Sequence, residues 1–461
     1  MNSGAPGSYD RPLRVAVIGA GPAGFYTVEA LLKHPEVHVE VDLFERLPAP
    51  YGLLRYGVAP DHPKIKSVSA VYDRLCENPH VRFLGNVSVG MGDLTVEELG
   101  AHYDQVVVAT GCETDRRLGI DGEDLPGSHC ATSFVAWYNG HPDFTTLAVN
   151  LDVERAVIVG IGDVAMDLAR MLLRDPADLA TTDIADYALE ALRRSRIREV
   201  VILARRGPAE GAFAAKELED IAELPGLDVS VDAGLVRDAT AAADPHHGTE
   251  RHKLEVLTRI AAAQGRDATR TLALRFLTSP VEIVGDGGRV CAVRIEHNEL
   301  VRRGEDVVAR GTGRTESVPA GLVLRSVGYL GVPIPGLPFD PSRGTVPNVD
   351  GRVLDDGSIR PRVYVAGWIK RGATGVVGTN KADAASTVAR MLEDLPQLDS
   401  RDADAVSRGA IDNALRARGI RVVTWEGWKR IDRREREEGA AAGKVRRKLT
   451  SISDLLEAAG V

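Results

Sequence analysis

The sequence predicts an α/β protein with two Rossmann-like dinucleotide-binding domains, the second inserted into the first. Three observations predict this architecture. The chain has 461 residues, which is too long for one compact core. A buried strand, a glycine-rich turn and a helix follow one another from Leu13, and the same pattern returns at Ala156. A further strand and helix after residue 360 then resume the first domain.

The overall composition is that of a soluble globular protein and argues against several classes of function. Hydrophobic residues make up 44% of the chain and charged residues 27%. The net charge is -9, so nucleic acid is not expected as a partner, because phosphate binding needs a basic face. The uncharged stretch from Val15 to Val28 is too short and too rich in glycine for a membrane span. The first ten residues do not resemble a signal peptide.

The cysteines indicate a reducing compartment. They are scattered and form no CxxC pair: Cys76, Cys112, Cys130 and Cys291. This pattern predicts neither a disulfide framework nor a metal site, and the cytoplasm is the simplest localisation.

The first glycine-rich turn has the GxGxxG spacing, with Gly19, Gly21 and Gly24. Gly19 permits the tight turn, Gly21 lets the backbone approach a pyrophosphate, and Gly24 lets the helix pack closely on the strand. The helix N-terminus then offers free N–H groups to the phosphates. Glu45 ends the next strand, where an acid binds ribose hydroxyls. The alternative is a glycine-rich turn with only a structural role.

The second turn carries Gly160 and Gly162, with Ala165 at the third position. The strand after it ends in Arg205 and Arg206 instead of an acid. Two guanidinium groups at this place suit the 2′-phosphate of NADP, although two solvated arginines are the alternative. We therefore expect FAD at the first turn and NADP at the second, since two NADP sites would provide no redox centre.

The NADP domain is then inserted into the FAD domain. The predicted boundaries are 1–112 for the first part of the FAD domain, 113–326 for the NADP domain, and 327–461 for the rest of the FAD domain with a helical C-terminal extension. Residues 1–12 are expected to be a flexible tail. The stretch 238–249 is predicted to be a surface loop, and the charged stretch 430–448 a solvated connection.

Longer motifs are selective enough to suggest a family. They include GAGPAGF at Gly19, YGLLRYGVAPDHPKIKSV at Tyr51, ARRGP at Ala204 and VAGWIKRGATGVVGTNKADA at Val365. With further matches they span about residues 13–395. The chain resembles the adrenodoxin reductase-like ferredoxin–NADP reductases, particularly the bacterial members.

The resemblance implies an oxidoreductase. NADPH gives a hydride to FAD, and the reduced flavin passes electrons one at a time to an iron–sulfur protein. Implied FAD contacts are Ala23, Glu45, Leu53, Val89, Arg116, Trp368, Gly375, Val376 and Val377. Implied NADP contacts are Gly162, Asp163, Val164, Arg205, Arg206, Glu217 and Gly375. His62 and Glu217 are placed at the nicotinamide pocket, where we interpret them as positioning the nicotinamide and closing the site. A structural His62 is the alternative.

The sequence departs from the family pattern at two positions. Asp163 stands where Asn is common, and a carboxylate beside a pyrophosphate is unfavourable unless it points away. Ala373 stands where Pro is common. A helix predicted to begin near Gly375 can aim its positive end at the flavin, and Trp368 can shield the cofactor or simply be a core residue.

The electron acceptor is expected to be a separate, acidic ferredoxin, because no cysteine pair can take electrons from the flavin. A cytochrome P-450 is a candidate for the next protein in the chain. Basic residues are candidate docking groups: Lys64, Lys66, Lys370, Arg371, Lys381, Arg193, Arg194, Arg196 and Arg198. The alternatives are an NADPH-dependent flavin monooxygenase or reductase, and a nucleotide-sensing flavoprotein with slow turnover.

Overall fold

A computed structural model describes residues 5–90, 92–243, 246–304, 306–398 and 405–461. These residues divide into two compact units. Unit 1 comprises the described residues up to Thr114, with Asn139–Pro142 and Tyr329–Val461, and unit 2 comprises Asp115–Tyr138 and Asp143–Gly328. In chain order, unit 2 thus interrupts unit 1.

The strands in chain order are β1 (Leu13–Ile18), β2 (Val39–Glu45), β3 (Val81–Gly85), β4 (Gln105–Val108), β5 (Thr114–Asp115), β6 (Ser128–Cys130), β7 (Arg155–Val159), β8 (Glu199–Leu203), β9 (Leu227–Val231), β10 (Arg270–Arg275), β11 (Thr278–Asp286), β12 (Arg289–Arg303), β13 (Asp306–Pro319), β14 (Leu322–Arg325), β15 (Tyr329–Leu330), β16 (Asn348–Val349), β17 (Arg352–Asp355) and β18 (Ser358–Val365).

The α-helices are α1 (Pro22–Leu32), α2 (Leu53–Tyr56), α3 (Pro63–Lys66), α4 (Ser69–Cys76), α5 (Val96–His102), α6 (Ala131–Tyr138), α7 (Asp163–Leu173), α8 (Pro176–Leu179), α9 (Asp186–Arg193), α10 (Ala215–Ala222), α11 (Ala233–Ala242), α12 (Gly248–Ala263), α13 (Trp368–Arg371), α14 (Thr379–Glu393), α15 (Arg408–Ala417), α16 (Trp425–Ala441) and α17 (Ile452–Ala459). Short 3₁₀ turns lie at Pro142–Phe144 and Leu395–Gln397.

The main sheet of unit 1 has the strand order β16-β17-β18-β4-β1-β2-β3. The pairs from β18 to β3 are parallel, and β16, β17 and β18 pair antiparallel. Every residue of β1 is buried, as expected for a central strand covered on both faces. The prediction that β1 spans Leu13 to Ile18 is therefore confirmed.

Unit 2 contains a parallel sheet in the order β6-β14-β7-β8-β10-β9. An antiparallel meander of β11, β12 and β13 follows β10 in the chain. In each unit a buried strand runs through a glycine-rich turn into a helix, β1 into α1 and β7 into α7. The predicted α/β fold with two Rossmann-like domains, one inserted into the other, is confirmed.

The N-terminal segment is not a flexible tail where it is described. The Arg11 guanidinium donates two hydrogen bonds of 2.8 Å to the Asp104 carboxylate, and the backbone N–H of His38 donates to the Gly7 carbonyl. The prediction is thus wrong for residues 5–12, because a buried acid in the core of unit 1 binds this segment. Residues 1–4 lie outside the described residues.

Two charged or polar stretches form helices instead of irregular structure. In the predicted loop 238–249, α11 extends to Ala242, since the alanines there favour a helix, and α12 begins at Gly248. Residues 244 and 245 are outside the described part. The stretch 430–448 is not a solvated connection either: most of it lies in α16, which buries Trp428, Ile431 and Glu435.

Candidate cofactor sites

The first glycine-rich turn in unit 1 has no room for side chains at two of its glycines. Gly19 has a φ of +105°, and a Cβ atom there would lie 2.7 Å from the Ala109 carbonyl oxygen. A Cβ on Gly24 would lie 2.0 Å from the Gly19 carbonyl oxygen. By contrast, a Cβ on Gly21 would meet only the Gly52 Cα, at 4.0 Å. Open space thus lies beside the backbone of Gly21, where a pyrophosphate fits.

Glu45 is oriented by one backbone group of the same turn and by one of the segment that follows β2. One carboxylate oxygen accepts a hydrogen bond from the Ala20 N–H at 3.0 Å, and the other accepts from the Leu47 N–H at 3.1 Å. Burial raises the pKa of Glu45 above its ordinary value, against the lowering effect of these two N–H groups. A carboxylate has about four acceptor positions, so the remaining ones can accept ribose hydroxyls. The residue fits a dinucleotide.

Two further segments of unit 1 contact the turn. The Tyr51 N–H donates to the Ala20 carbonyl at 2.8 Å, and Gly52, with φ +49°, is close enough that a Cβ would lie 3.1 Å from the Gly21 Cα. A Cβ on Gly367 would lie 2.4 Å from the Ala23 Cβ. The structure thus brings the predicted residue Leu53, which follows Gly52, and Trp368, which follows Gly367, beside the turn.

The loop after Trp368 is fixed by its own hydrogen bonds. The Trp368 Nε1–H donates to the Thr374 carbonyl at 3.0 Å, and its ring stacks on Tyr329 with centroids 5.7 Å apart. Gly375 has a φ of +77°. The Val376 N–H donates to the Thr379 hydroxyl at 3.1 Å, and the Val376 side chain is 68% exposed.

The helix predicted near Gly375 begins at Thr379 instead, with Gly378 as its N-cap. The reason is that the left-handed conformation of Gly375 and the bonds of Trp368 and Thr379 fold residues 374–378 into a turn. The positive end of α14 therefore lies beyond Val377, which packs against the core of unit 1.

The remaining predicted residues of unit 1 lie in other segments. Val89 is in the loop after β3, where it forms an isolated bridge with Leu94 and packs on the cluster that contains Phe44. His62 is the N-cap of α3. Arg116, predicted to contact FAD, belongs to unit 2, where its N–H donates to the Gly328 carbonyl at 2.9 Å.

The turn of unit 2 repeats the geometry of the first. Gly160 has a φ of +106°, and a Cβ there would lie 2.1 Å from the Ser326 carbonyl oxygen. A Cβ on Gly162 would meet nothing within 4 Å, so space is again open beside the helix N-terminus. Ala165 is fully buried at the position of the third glycine, and Val164 packs against the same core.

Asp163 is the first residue of α7 and points to a neighbouring backbone group. Its carboxylate accepts a hydrogen bond from the Ala214 N–H at 2.7 Å. Burial raises the pKa of Asp163, and the nearby carboxylates of Glu217 and Asp167 raise it further. The Ala214 contact explains how this acid is accommodated, but its charge stays close to the open space at Gly162.

Arg170 holds the two other acids of this cluster. Its buried guanidinium donates to Glu217 at 2.9 Å and to Asp167 at 2.5 Å. The side chain of Arg170 is only 3% exposed. Helix α7 therefore orients Glu217, which is on α10, through Arg170, a residue that the sequence analysis did not identify. Its signal was the spacing of Asp167 and Arg170, three residues apart on one helix face.

Arg205 and Arg206 follow β8 and have their backbone fixed from neighbouring strands. Asn298 donates a side-chain hydrogen bond of 2.9 Å to the Arg205 carbonyl, and the Leu277 N–H donates to the Arg206 carbonyl at 3.0 Å. Arg205 is exposed and Arg206 half-buried. Within the described part of the chain, neither guanidinium has a carboxylate partner, so both are available to an anion. The residues of unit 2 fit a phosphorylated dinucleotide.

The candidate docking residues are less available than their sequence suggests. Lys370 is 11% exposed and binds Asp383 at 3.2 Å, and Arg371 donates to Asn380 at 3.1 Å. The prediction that Lys370 and Arg371 are docking groups is therefore wrong, because both side chains make internal contacts within unit 1. The others keep some exposure, and several already have acidic partners: Lys381 with Glu29, Arg193 and Arg194 with Glu190, and Arg196 with Asp152.

Two dinucleotide turns of this kind in one chain define a class of two-nucleotide oxidoreductases. A family model described as pyridine nucleotide-disulphide oxidoreductase matches residues 13–291. The chain belongs to this family and, within it, to the adrenodoxin reductase-like ferredoxin–NADP reductases, as the resemblance predicted.

Similar proteins match over nearly the whole chain. "NADPH-ferredoxin reductase FprA" of Mycobacterium tuberculosis is 45% identical over 97% of this chain and 99% of its own length. "NADPH:adrenodoxin oxidoreductase, mitochondrial" of Bos taurus is 41% identical over 97% of this chain and 92% of its own. The solved structure of Mycobacterium tuberculosis FprA in complex with NADPH has a TM-score of 0.92 at 45% identity, covering 98% of this chain and 100% of that one.

None of the helices in the described ranges combines the length and the apolar character that a bilayer crossing requires.

Proposed function

We propose that this protein is an NADPH–ferredoxin oxidoreductase that binds FAD in unit 1 and NADPH in unit 2. One observation supports the proposal above all: the two glycine-rich turns are followed by residues of opposite charge. Glu45 stands at the end of β2, whereas Arg205 and Arg206 stand after β8. The same chain is 45% identical to a protein named for this activity.

In unit 1 the backbone around Gly21 and the N-terminus of α1 bind the pyrophosphate, and Glu45 accepts hydrogen bonds from a ribose. Trp368, the loop Gly375–Val377 and Leu53 would hold the FAD beside this glycine-rich turn. Val89 and Arg116 complete the proposed FAD contacts. When bound, FAD accepts two electrons from NADPH and releases them one at a time to an iron–sulfur protein.

In unit 2 the open space at Gly162 takes the pyrophosphate of NADPH, and Arg205 and Arg206 bind its 2′-phosphate. A planar guanidinium can donate two parallel hydrogen bonds to a phosphate, which NADH lacks at this position. Asp163, Val164, Glu217 and Gly375 are the other proposed NADP contacts. We assign Glu217 and His62 to positioning the nicotinamide.

The proposed acceptor is a separate acidic ferredoxin, and a cytochrome P-450 is a candidate for the protein that the ferredoxin serves. Lys64 is an exposed cation of unit 1 suited to an acidic partner. We also propose the cytoplasm as the compartment, on the ground that Cys76, Cys112, Cys130 and Cys291 are free thiols.

The test is an anaerobic reduction. The purified protein is mixed with NADPH or NADH, the flavin absorbance is followed, and a low-potential ferredoxin is then added. We expect bleaching by NADPH at concentrations where NADH is slow, and reoxidation when the ferredoxin arrives. Bleaching without transfer to ferredoxin would point to the monooxygenase alternative, and slow bleaching to the sensing flavoprotein. A protein that binds no flavin would contradict the proposal.

A further inference from the structure

One face of helix α16 is directed at the segment 51–56 of unit 1. Trp428 and Glu435 are seven residues apart, which is about two helical turns, so they lie on the same face. Trp428 is 2% exposed and Glu435 is fully buried. The sequence around them is strongly charged and predicted a solvated segment, so two buried contacts on one face need an explanation.

Glu435 is held by several donors. Its carboxylate accepts hydrogen bonds from the Arg55 guanidinium at 2.5 and 3.0 Å, from Arg446 at 2.6 Å and from the Leu449 N–H at 2.8 Å. Burial raises the pKa of Glu435, but the two guanidinium groups more than offset this effect and lower the pKa overall. The carboxylate is therefore ionised at neutral pH and pairs with the buried Arg55.

Trp428 and Lys448 contact the same segment independently. The Trp428 Nε1–H donates to the Tyr51 hydroxyl at 3.1 Å, and the Arg55 guanidinium lies 5.2 Å from the centroid of the Trp428 ring. The Lys448 ammonium donates to the Arg55 carbonyl at 3.0 Å. Both ends of the segment 51–56 are thus fixed from the C-terminal part of the chain.

The opposite side of this segment contacts the first glycine-rich turn. The Tyr51 N–H donates to the Ala20 carbonyl at 2.8 Å, and a Cβ on Gly52 would lie 3.1 Å from the Gly21 Cα. The N–H of Arg55 donates back to the Gly52 carbonyl at 3.0 Å. One turn of helix α2 therefore connects Arg55 to Gly52, which lies against Gly21 at the proposed pyrophosphate site.

We propose that α16 is a clamp on the FAD site, in which Glu435 is a positioning residue that holds Arg55 and thereby the segment 51–56 against the glycine-rich turn. This inference rests on the proposed binding of FAD by unit 1. It gives the C-terminal extension a role in retaining the cofactor, although this extension lies outside the glycine-rich turn motifs.

The test compares FAD release from three variants of the full-length holoprotein. Glu435→Gln removes the charge but keeps the shape, Glu435→Asp keeps the charge, and Glu437→Gln changes an exposed acid of the same helix. The readout is the rise of FAD fluorescence after dilution. It is recorded at a temperature where far-UV circular dichroism shows each variant folded and NADP⁺ binding shows unit 2 intact.

We expect Glu435→Gln to release FAD about tenfold faster than the unchanged protein, which corresponds to about 1.4 kcal/mol. Glu435→Asp should restore part of the retention, and Glu437→Gln should match the unchanged protein. If Glu435→Gln and Glu437→Gln released FAD at the same rate, the clamp would be overturned. This conclusion would hold even if Glu435→Gln unfolded at a lower temperature. Failure of the unchanged protein to bind FAD would contradict the proposed function itself, so the two failures are distinct.

Discussion

At the residue scale, the proposed NADP site combines two cations, which would attract a phosphate, with one acid, which would repel it. Arg205 and Arg206 have no carboxylate partner within the described ranges, whereas Asp163 accepts only a backbone N–H. Arg170 pairs with both Asp167 and Glu217, so its single positive charge only partly offsets these two carboxylates beside Asp163. The affinity for NADP is therefore expected to depend on the balance of these charges.

Arg206→Ala is expected to raise the KM for NADPH by about 10- to 100-fold, because hydrogen bonds to a charged group contribute about 1.5–3 kcal/mol. The KM for NADH should change little, since NADH lacks the 2′-phosphate. Steady-state reduction of an artificial electron acceptor with each nucleotide measures both values. Arg193→Ala is the control, because this arginine is exposed and pairs with Glu190. Equal losses with both nucleotides would contradict the assignment.

Asp163→Asn is expected to tighten NADP⁺ binding by up to about tenfold at pH 8, because it removes one negative charge beside the phosphates. The Asn side-chain oxygen can still accept the Ala214 N–H. The folded-state pKa of Asp163 is raised, so the carboxylate becomes charged only as the pH rises through that value. Affinity of the unchanged protein should fall over this range.

Calorimetric titration with NADP⁺ at several pH values compares the affinity of the unchanged protein with that of Asp163→Asn. The variant should lack the component of pH dependence that comes from Asp163, while the ionisation of the 2′-phosphate affects both alike. Weaker binding by Asp163→Asn at every pH would show that the carboxylate itself assists the nucleotide.

At the element scale, the glycine-rich turns depend on close packing between a helix and a strand. In Gly24→Ala the added Cβ would collide with the Gly19 carbonyl oxygen at 2.0 Å, so α1 must move away from β1. We expect this variant to lose about 1–3 kcal/mol of unfolding free energy and most of its bound FAD. Urea unfolding and the flavin-to-protein absorbance ratio are the measurements.

Gly100→Ala provides the matched control for this change. Gly100 lies within α5, and a Cβ there would meet nothing within 4 Å. The substitution should stabilise the protein by about 0.5–1 kcal/mol and leave the flavin content unchanged, since alanine favours a helix over glycine. If both variants retained FAD equally, the close approach at Gly24 would have no role in binding.

The sequence was sufficient for elements whose signal is local. The strand β1, the turns at Gly19 and Gly160, and the acid at Glu45 all follow from patterns within about 30 residues. It was insufficient where a distant partner decides the structure. Asp104 binds Arg11, and Glu435 binds Arg55, although the two residues of each pair are far apart in the chain. The start of α14 at Thr379 depends on side-chain hydrogen bonds of Trp368 and Thr379. The hydrophobic periodicity of the sequence does not reveal these bonds.

At the scale of the whole molecule, unit 1 is assembled from both ends of the chain. Its sheet is completed when β18 pairs with β4, which joins Val106 to Val363. In unit 2, β7 pairs with β8 across a much shorter stretch, with Val157 opposite Val201. Pairings between distant strands form slowly, because the intervening chain must first be ordered or closed into a loop.

We therefore expect β18 and β4 to gain protection from hydrogen exchange later than β7 and β8 during refolding. Pulsed exchange of the full-length chain, followed by mass spectrometry of its peptides, measures the order. The peptides of β1 and β2, which are close in sequence, serve as an internal comparison within unit 1. Simultaneous protection of β8 and β18 would show that the two units fold as one cooperative structure.

The contact of α16 with the segment 51–56 has a consequence for biosynthesis. When a ribosome has translated Gly328, the last residue of unit 2, it must still add the residues up to Val461, which takes roughly 10 s at ordinary elongation rates. Glu435 and Lys448 therefore emerge from the exit tunnel well after the whole of unit 2. A nascent chain can thus present a finished unit 2 while the proposed flavin site of unit 1 is still open, which would place cofactor loading after the folding of unit 2.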